Sequence, residues 1–183
     1  MDKTAKTELH RLFLIERLPE PLTPASSHVQ IFDNYIKDTR IRLRSVRVPE
    51  SNEWKRILQQ RFAAGESDLA VWKVAEMYLN ADEYKVFERF EGREVRKNRY
   101  FHEFDGRLIE FDVYLGELFG LCMAKVEFDA AADMLSYEPP PFAVFEVTNE
   151  PFFTGSNLVG RKFSEVRAEV ERLGEPLRTV PDA

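Results

Sequence analysis

RYFHEFDGRLIEFDVYLGELFGLCMAKVEFD, residues Arg99 to Asp129, decides how the chain is read. Asp105-Gly106 separates two alternating segments and is a strong two-residue hairpin signal. A turn there pairs residues whose numbers sum to a constant, so Arg99 faces Asp112, Phe101 faces Glu110 and Glu103 faces Leu108. Tyr100-Phe111 and His102-Ile109 fall on the other face, because side chains alternate along a strand. A third segment continues the pattern, with Met123, Lys125, Glu127 and Asp129 on one face and Cys122, Ala124, Val126 and Phe128 on the other. Three strands carrying ionic residues of both signs on one side fit either an ordinary solvated sheet or the lining of a polar barrel.

Working outward, the chain of 183 residues has the size of one medium domain that buries a real core, and 44% hydrophobic and 13% aromatic residues argue against disorder. The expected domain runs from 8 to 175, with 1–7 and 176–183 as loose termini. A net charge of -6 gives a mean field unfavourable to nucleic acid. The single cysteine, Cys122, excludes an intramolecular disulfide and a Cys-rich zinc site, and its apolar neighbours read it as a buried small hydrophobe. No N-terminal apolar run resembles a signal peptide and no segment has the length of a membrane span, so the expectation is a cytoplasmic protein with no membrane partner.

Upstream, Glu8–Ile15 reads as a short strand, with Glu8, His10 and Leu12 sharing a face. Pro19, Pro21 and Pro24 mark a loop, and His28–Tyr35 is a second strand, with the turn to the next one expected to begin at Asn34 or at Asp38-Thr39. Thr39–Val48 is clearer: Arg40, Arg42 and Arg44 alternate with Ile41, Leu43 and Ser45. A row of guanidinium groups gains nothing from mutual repulsion, so it is either a solvated strand face or a contact for a polyanion, whose phosphate oxygens match the guanidinium fork. Pro49 ends that strand, and Ser51 with Trp54, Ile57, Leu58, Arg61 and Phe62 follows helical spacing, which predicts a helix over 51–62. Leu69–Leu79 is rich in strand formers and brings Lys73 or Glu76 toward the arginines. Asn80 with Glu83 makes a capping box for a helix to about Phe90, and Lys97 shares a strand face with Arg99. A short helix over 130–135, a brief strand over 142–147 and a terminal helix from Ser164 to Gly174 complete the count. Seven or eight mostly antiparallel strands and three or four helices make an α+β protein whose sheet closes or nearly closes into an eight-stranded antiparallel β-barrel.

The central stretch resembles the diagnostic region of the CYTH superfamily, the triphosphate tunnel metalloenzymes. The family pattern falls on Arg99-Tyr100, Glu110 and Asp112, Gly120-Leu121, then Lys125 and Glu127. Lys97, Arg42 and Arg44 match its basic positions, and its N-terminal signature falls on Glu8, His10 and Leu12 before Phe13-Leu14. Three positions depart from it: His10 and Lys125 stand where the family has glutamates, and Leu12 where it has a lysine. The 51–62 helix reads as an insertion. The resemblance implies a tunnel in which Arg40, Arg42, Arg44, Lys73, Lys97, Arg99 and Lys125 hold a small polyphosphate or other anion. It also implies that Glu8, Glu76, Glu110, Asp112 and Glu127 bind Mg²⁺ or Mn²⁺, with His10 lining the site. Two function classes follow. One is a metal-dependent hydrolase of a small inorganic or organic triphosphate, behind which a class IV adenylate cyclase stands as a separate third option. The other is a non-catalytic ligand-binding or scaffold protein with a degenerate metal site.

Overall fold

The computed structural model describes residues 5–65, 68–90 and 92–178. They form nine strands: β1 Lys6–Ile15, β2 His28–Ile36, β3 Ile41–Val48, β4 Glu53–Ala63, β5 Val71–Leu79, β6 Gly92–Phe104, β7 Arg107–Tyr114, β8 Cys122–Phe128 and β9 Ala143–Glu146. The helices are α1 Ala81–Phe87, α2 Ala131–Ser136, α3 Gly155–Leu158 and α4 Phe163–Arg178. The sheet order is β5-β4-β3-β2-β6-β7-β8-β1-β9, with β1 also pairing β5. Every pairing is antiparallel. β1 to β8 thus close an eight-stranded barrel, which leaves none of these eight strands as an unpaired edge.

β1 does the closing. Lys6 to Leu9 pair with β5, Leu9 to Ile15 pair with β8, and Phe13 to Ile15 pair with β9. The free edge of β1 is therefore shared between two partners. Between them, the Leu12 carbonyl accepts from the Val147 N–H at 2.8 Å and the Leu12 N–H donates to Thr148 Oγ1 at 3.0 Å.

The central hairpin has the expected register, with Arg99 opposite Asp112 and Tyr100 opposite Phe111. Asp105 and Gly106 both have positive φ, 49° and 70°, as a two-residue turn between right-twisted strands requires. Alternation then sorts side chains to the two sides of the wall. Phe13, Ile15, Tyr100, Ile109, Phe111, Ala124, Val126 and Phe128 face outward and are covered by Met134 of α2 with Tyr137 and Phe142. Each large side chain so buried contributes about 1.5–3 kcal/mol. Inward, Val95, Tyr114 and Met123 meet Val147, Phe153 and Leu158, which packs one end of the barrel with apolar side chains beneath α4. The rest of the interior is lined largely by charged and polar groups, with Leu12, Trp72 and Val74 among them.

The expected helix over 51–62 is β4. Trp54, Leu58 and Phe62 are four residues apart, a spacing that satisfies a helix face and a strand face equally well. A tight turn in which Asn52 takes φ 57° makes β3 and β4 a hairpin, and the Ser51-Asn52 pair serves that turn instead of a helix cap. β4 is an integral wall strand and the segment is no insertion. Two elements extend past the expected boundaries, β1 starting at Lys6 and α4 continuing through Gly174 to Arg178, while α1 ends at Phe87, short of the expected Phe90. The Asn80 capping box is present, with the Asn80 side chain accepting from Asp82 and Glu83 and Glu83 bonding back. Cys122 is half-buried, and burial raises its thiol pKa. Among the described residues no helix is long and apolar enough to cross a membrane.

Candidate functional site in the barrel lumen

The barrel encloses a cavity of about 560 Å³ into which all eight strands project side chains. Eight basic and seven acidic side chains line it among the described residues, so the resident charges nearly cancel and their arrangement decides what the lumen can do.

Two buried aspartates organise the deep part. Asp33 on β2 lies directly opposite Arg44 on β3, and Tyr35 opposite Arg42. Arg44 donates to both Asp33 oxygens, at 2.6 and 2.7 Å, and Arg42 Nη1 adds a bond of 3.2 Å. Arg42 also donates to Gln59 Oε1 at 2.5 Å and to the Tyr35 hydroxyl at 3.1 Å. Asp112 on β7 holds the second group: Arg99 Nε and Nη2 donate at 2.7 and 2.8 Å, and Lys97 Nζ at 2.5 Å. Asp33 and Asp112 are 2% and 4% exposed. Burial raises each carboxyl's pKa, but Arg42 and Arg44 outweigh it at Asp33, and Arg99 and Lys97 outweigh it at Asp112, so both stay well below the usual carboxylate range. Burial lowers Lys97 to about 8 against the pull of Asp112, with Arg99 and Arg44 adding repulsion.

Nearer the β1–β8 seam, Glu110 lies opposite Lys125, and His10 opposite Glu127. Lys125 Nζ is 2.8 Å from Glu8 Oε1, 2.5 Å from Glu127 Oε1 and 3.8 Å from Glu110 Oε2. Arg61 Nη2 takes the same Glu8 oxygen at 2.7 Å, and Arg99 Nη1 approaches Glu110 Oε2 at 2.5 Å, off the hydrogen-bonding direction. Burial raises Glu8, but Lys125 and Arg61 dominate and hold it well below its ordinary value. His10 is 7% exposed and faces the lumen; burial first, then Lys125, lowers it to about 3, so it is neutral at pH 7. Its Nδ1 has no hydrogen-bond partner, and neither has Arg61 Nε. Burial and the adjacent Arg42 lower the Arg61 guanidinium pKa. An anion entering here relieves that crowding of cations.

Of the residues singled out from the sequence, Arg40, Arg42, Arg44, Lys97, Arg99, Lys125, Glu8, Glu76, Glu110, Asp112, Glu127 and His10 all line this one cavity. Lys73 does not. Trp72, Val74 and Glu76 face in, so alternation turns Lys73 outward, where it donates to Thr7 Oγ1 at 2.6 Å. Sequence reading missed Asp33, Tyr35, Gln59 and Arg61. Gln59 and Arg61 were hidden by the helical reading of β4, and Gln59 links Arg42 to Glu76. Asp33 had a signal: a turn centred on Asp38-Thr39 puts residue 33 opposite residue 44.

No protein-family model matches the chain. Over 69 residues it is 41% identical to an inorganic triphosphatase of Nitrosomonas europaea, a match spanning 37% of this chain and 46% of that protein. The crystal structure of the inorganic triphosphatase NE1496 superposes with a TM-score of 0.56 at 24% identity, covering 85% of this chain and 96% of that one. A second crystal structure of NE1496 gives 0.56 at 23% identity, covering 85% and 99%. The chain therefore shares the fold of the inorganic triphosphatase NE1496 and is similar in sequence to an inorganic triphosphatase over the matched segment. The matched sequence spans about half the length of the curated relative, while the fold correspondence covers most of both chains.

The CYTH fold implies a divalent metal, and the donors here do not fit one. The point at which Glu8, Glu110 and Glu127 converge is filled by the ammonium of Lys125. A Mg²⁺ ion needs near-octahedral oxygen ligands, which a resident positive charge both displaces and repels. Among the described residues no group of three or more His, Cys, Asp or Glu is arranged to hold an ion.

Proposed function

We propose that this CYTH-type lumen binds a small linear polyphosphate or a comparable phosphoanion. The observation that carries the reading is the convergence of Arg40, Arg42, Arg44, Arg61, Lys97, Arg99 and Lys125 on one cavity. The deep members are oriented by Asp33 and Asp112, whose burial keeps each guanidinium fork fixed. A pre-oriented guanidinium loses less entropy on meeting a phosphate, and it offers paired donors. Arg40 has no ion pair among the described residues and stacks on Phe62 at 4.8 Å, which leaves its N–H groups for a ligand. Unpartnered Arg61 Nε and His10 Nδ1 add donors or acceptors that a ligand would satisfy.

The relative's name, an inorganic triphosphatase, supports a tripolyphosphate-like ligand and favours hydrolysis as a second reading. Against hydrolysis stands Lys125 among the carboxylates that a catalytic metal would use. The non-catalytic binding reading therefore stands first, and no hydrolytic step is derived.

The test is calorimetric titration of tripolyphosphate in parallel with phosphate release from tripolyphosphate, ATP and thiamine triphosphate. Saturable, salt-sensitive binding without turnover is expected. Metal-dependent turnover abolished by Glu127→Gln would establish the enzyme instead, and absence of both binding and turnover would overturn the phosphoanion reading.

A further inference from the structure

We propose that Lys125 is a tethered counter-ion in place of a divalent cation, so that the lumen takes its anion without metal. The lysine is positioned by register: it projects from β8 with Glu110 opposite it on β7 and Leu12 opposite it on β1. That puts Nζ 2.8 Å from Glu8 Oε1, 2.5 Å from Glu127 Oε1 and 3.8 Å from Glu110 Oε2. The three acids come from three different strands, and the ammonium is the group they share. Without it, only Arg61 on Glu8 and Arg99 on Glu110 would offset their mutual repulsion.

A second observation concerns the imidazole beside Glu8. His10 is buried, lies 3.6 Å from Glu8 Oε1 through Nδ1, and leaves that nitrogen without a hydrogen-bond partner. Leu12 opposite Lys125 provides no competing polar group. The three carboxylates are thus gathered around a cation that is covalently attached to the chain. An ammonium differs from a metal ion in two ways that matter here: it carries one charge, and it cannot polarise a phosphoryl oxygen as a Lewis acid does. Binding survives this exchange and metal-driven hydrolysis does not.

The part of the proposal that concerns the anion rests on the phosphoanion reading, whereas the cage itself can be tested with Mn²⁺ alone. In the first arm, Mn²⁺ is titrated into the full chain and followed by electron paramagnetic resonance. No saturable binding is expected in the unaltered protein. Lys125→Met should gain one saturable site, with affinity raised by roughly tenfold or more, and Lys125→Met with Glu127→Gln should lose it. One Mn²⁺ bound by the unaltered protein and lost on Glu127→Gln alone would overturn the proposal, as would a folded Lys125→Met that gains nothing. Should Lys125→Met fail to fold by circular dichroism, the unaltered protein and Glu127→Gln decide the matter. In the second arm, tripolyphosphate is titrated in EDTA and then with Mn²⁺. Binding in EDTA that Mn²⁺ does not strengthen supports the proposal; binding only with Mn²⁺ overturns it. Absence of tripolyphosphate binding in both conditions counts against the phosphoanion reading, and the first arm then decides the cage.

Discussion

Asp112→Asn tests whether the lumen is held together by its buried charges. The side chain is 4% exposed and receives three donors, two from Arg99 and one from Lys97. Substitution removes one negative charge and leaves two buried cations. Breaking a buried pair by removing one partner typically costs about 3–5 kcal/mol, because the remaining charge stays desolvated. Arg99 keeps Glu110 at 2.5 Å, so the lower end, about 3 kcal/mol, is expected. For a chain of this size that lowers Tm by roughly 10 °C. Urea denaturation at pH 7 measures it, with Lys97→Met and the double variant completing a cycle. Lys97→Met removes the more weakly compensated cation, so the double variant should be more stable than the summed losses by about 1–2 kcal/mol. A loss below about 1 kcal/mol for Asp112→Asn, or an additive cycle, would show that water screens the lumen and would refute the reasoning.

Three further outcomes follow from the same contacts. His10 stays neutral in the folded chain down to about pH 3, while in the unfolded chain it takes up a proton near 6.5. The unfolded state then binds more protons, so stability falls between these values as pH is lowered, at up to about 1.4 kcal/mol per pH unit. Asp33 and Asp112, held below their ordinary values, act in the same direction from about pH 4 downward, and His10→Gln should flatten the curve between pH 4.5 and 6.5. An unchanged slope would contradict the assignment. Gly155→Ala places a Cβ 1.9 Å from the Tyr35 hydroxyl, which is bonded to Arg42; a loss of about 1–3 kcal/mol is expected, part of it recovered by Tyr35→Phe in a thermal melt. Arg40→Gln should weaken tripolyphosphate binding by roughly tenfold in calorimetry while Tm moves by less than about 2 °C, since the arginine is exposed and has no ion pair among the described residues.

Local chemistry made much of the fold legible. Asp105-Gly106 has a single tight-turn solution, and once the turn is placed, alternation sets Arg99 against Asp112 and sends Phe111 and Val126 outward. The arginine row and the seam carboxylates were visible for the same reason, since period two assigns each to a face. β4 was misread because Trp54, Leu58 and Phe62 satisfy both periods, and because a strand that lines a polar lumen lacks the apolar inner face by which strands are recognised. Parity also separated Glu76 from Lys73, but only after the register with β1 and β4 was known.

Local sequence is enough to specify the central hairpin, its charged face and the place of Lys125 on that face. That this face looks inward follows from closure of the barrel and from nothing local. Closure of β1 on β5 turns a surface open to solvent into an interior, and in an interior each charge must find a partner. Asp33 and Asp112 therefore became the organisers of the arginines. Lys125, an ion-pair partner of unknown reach in one dimension, became the shared cation of carboxylates from β1, β7 and β8. The physical reason is distance: Glu8 and Lys125 are 117 residues apart along the chain and 2.8 Å apart across the seam.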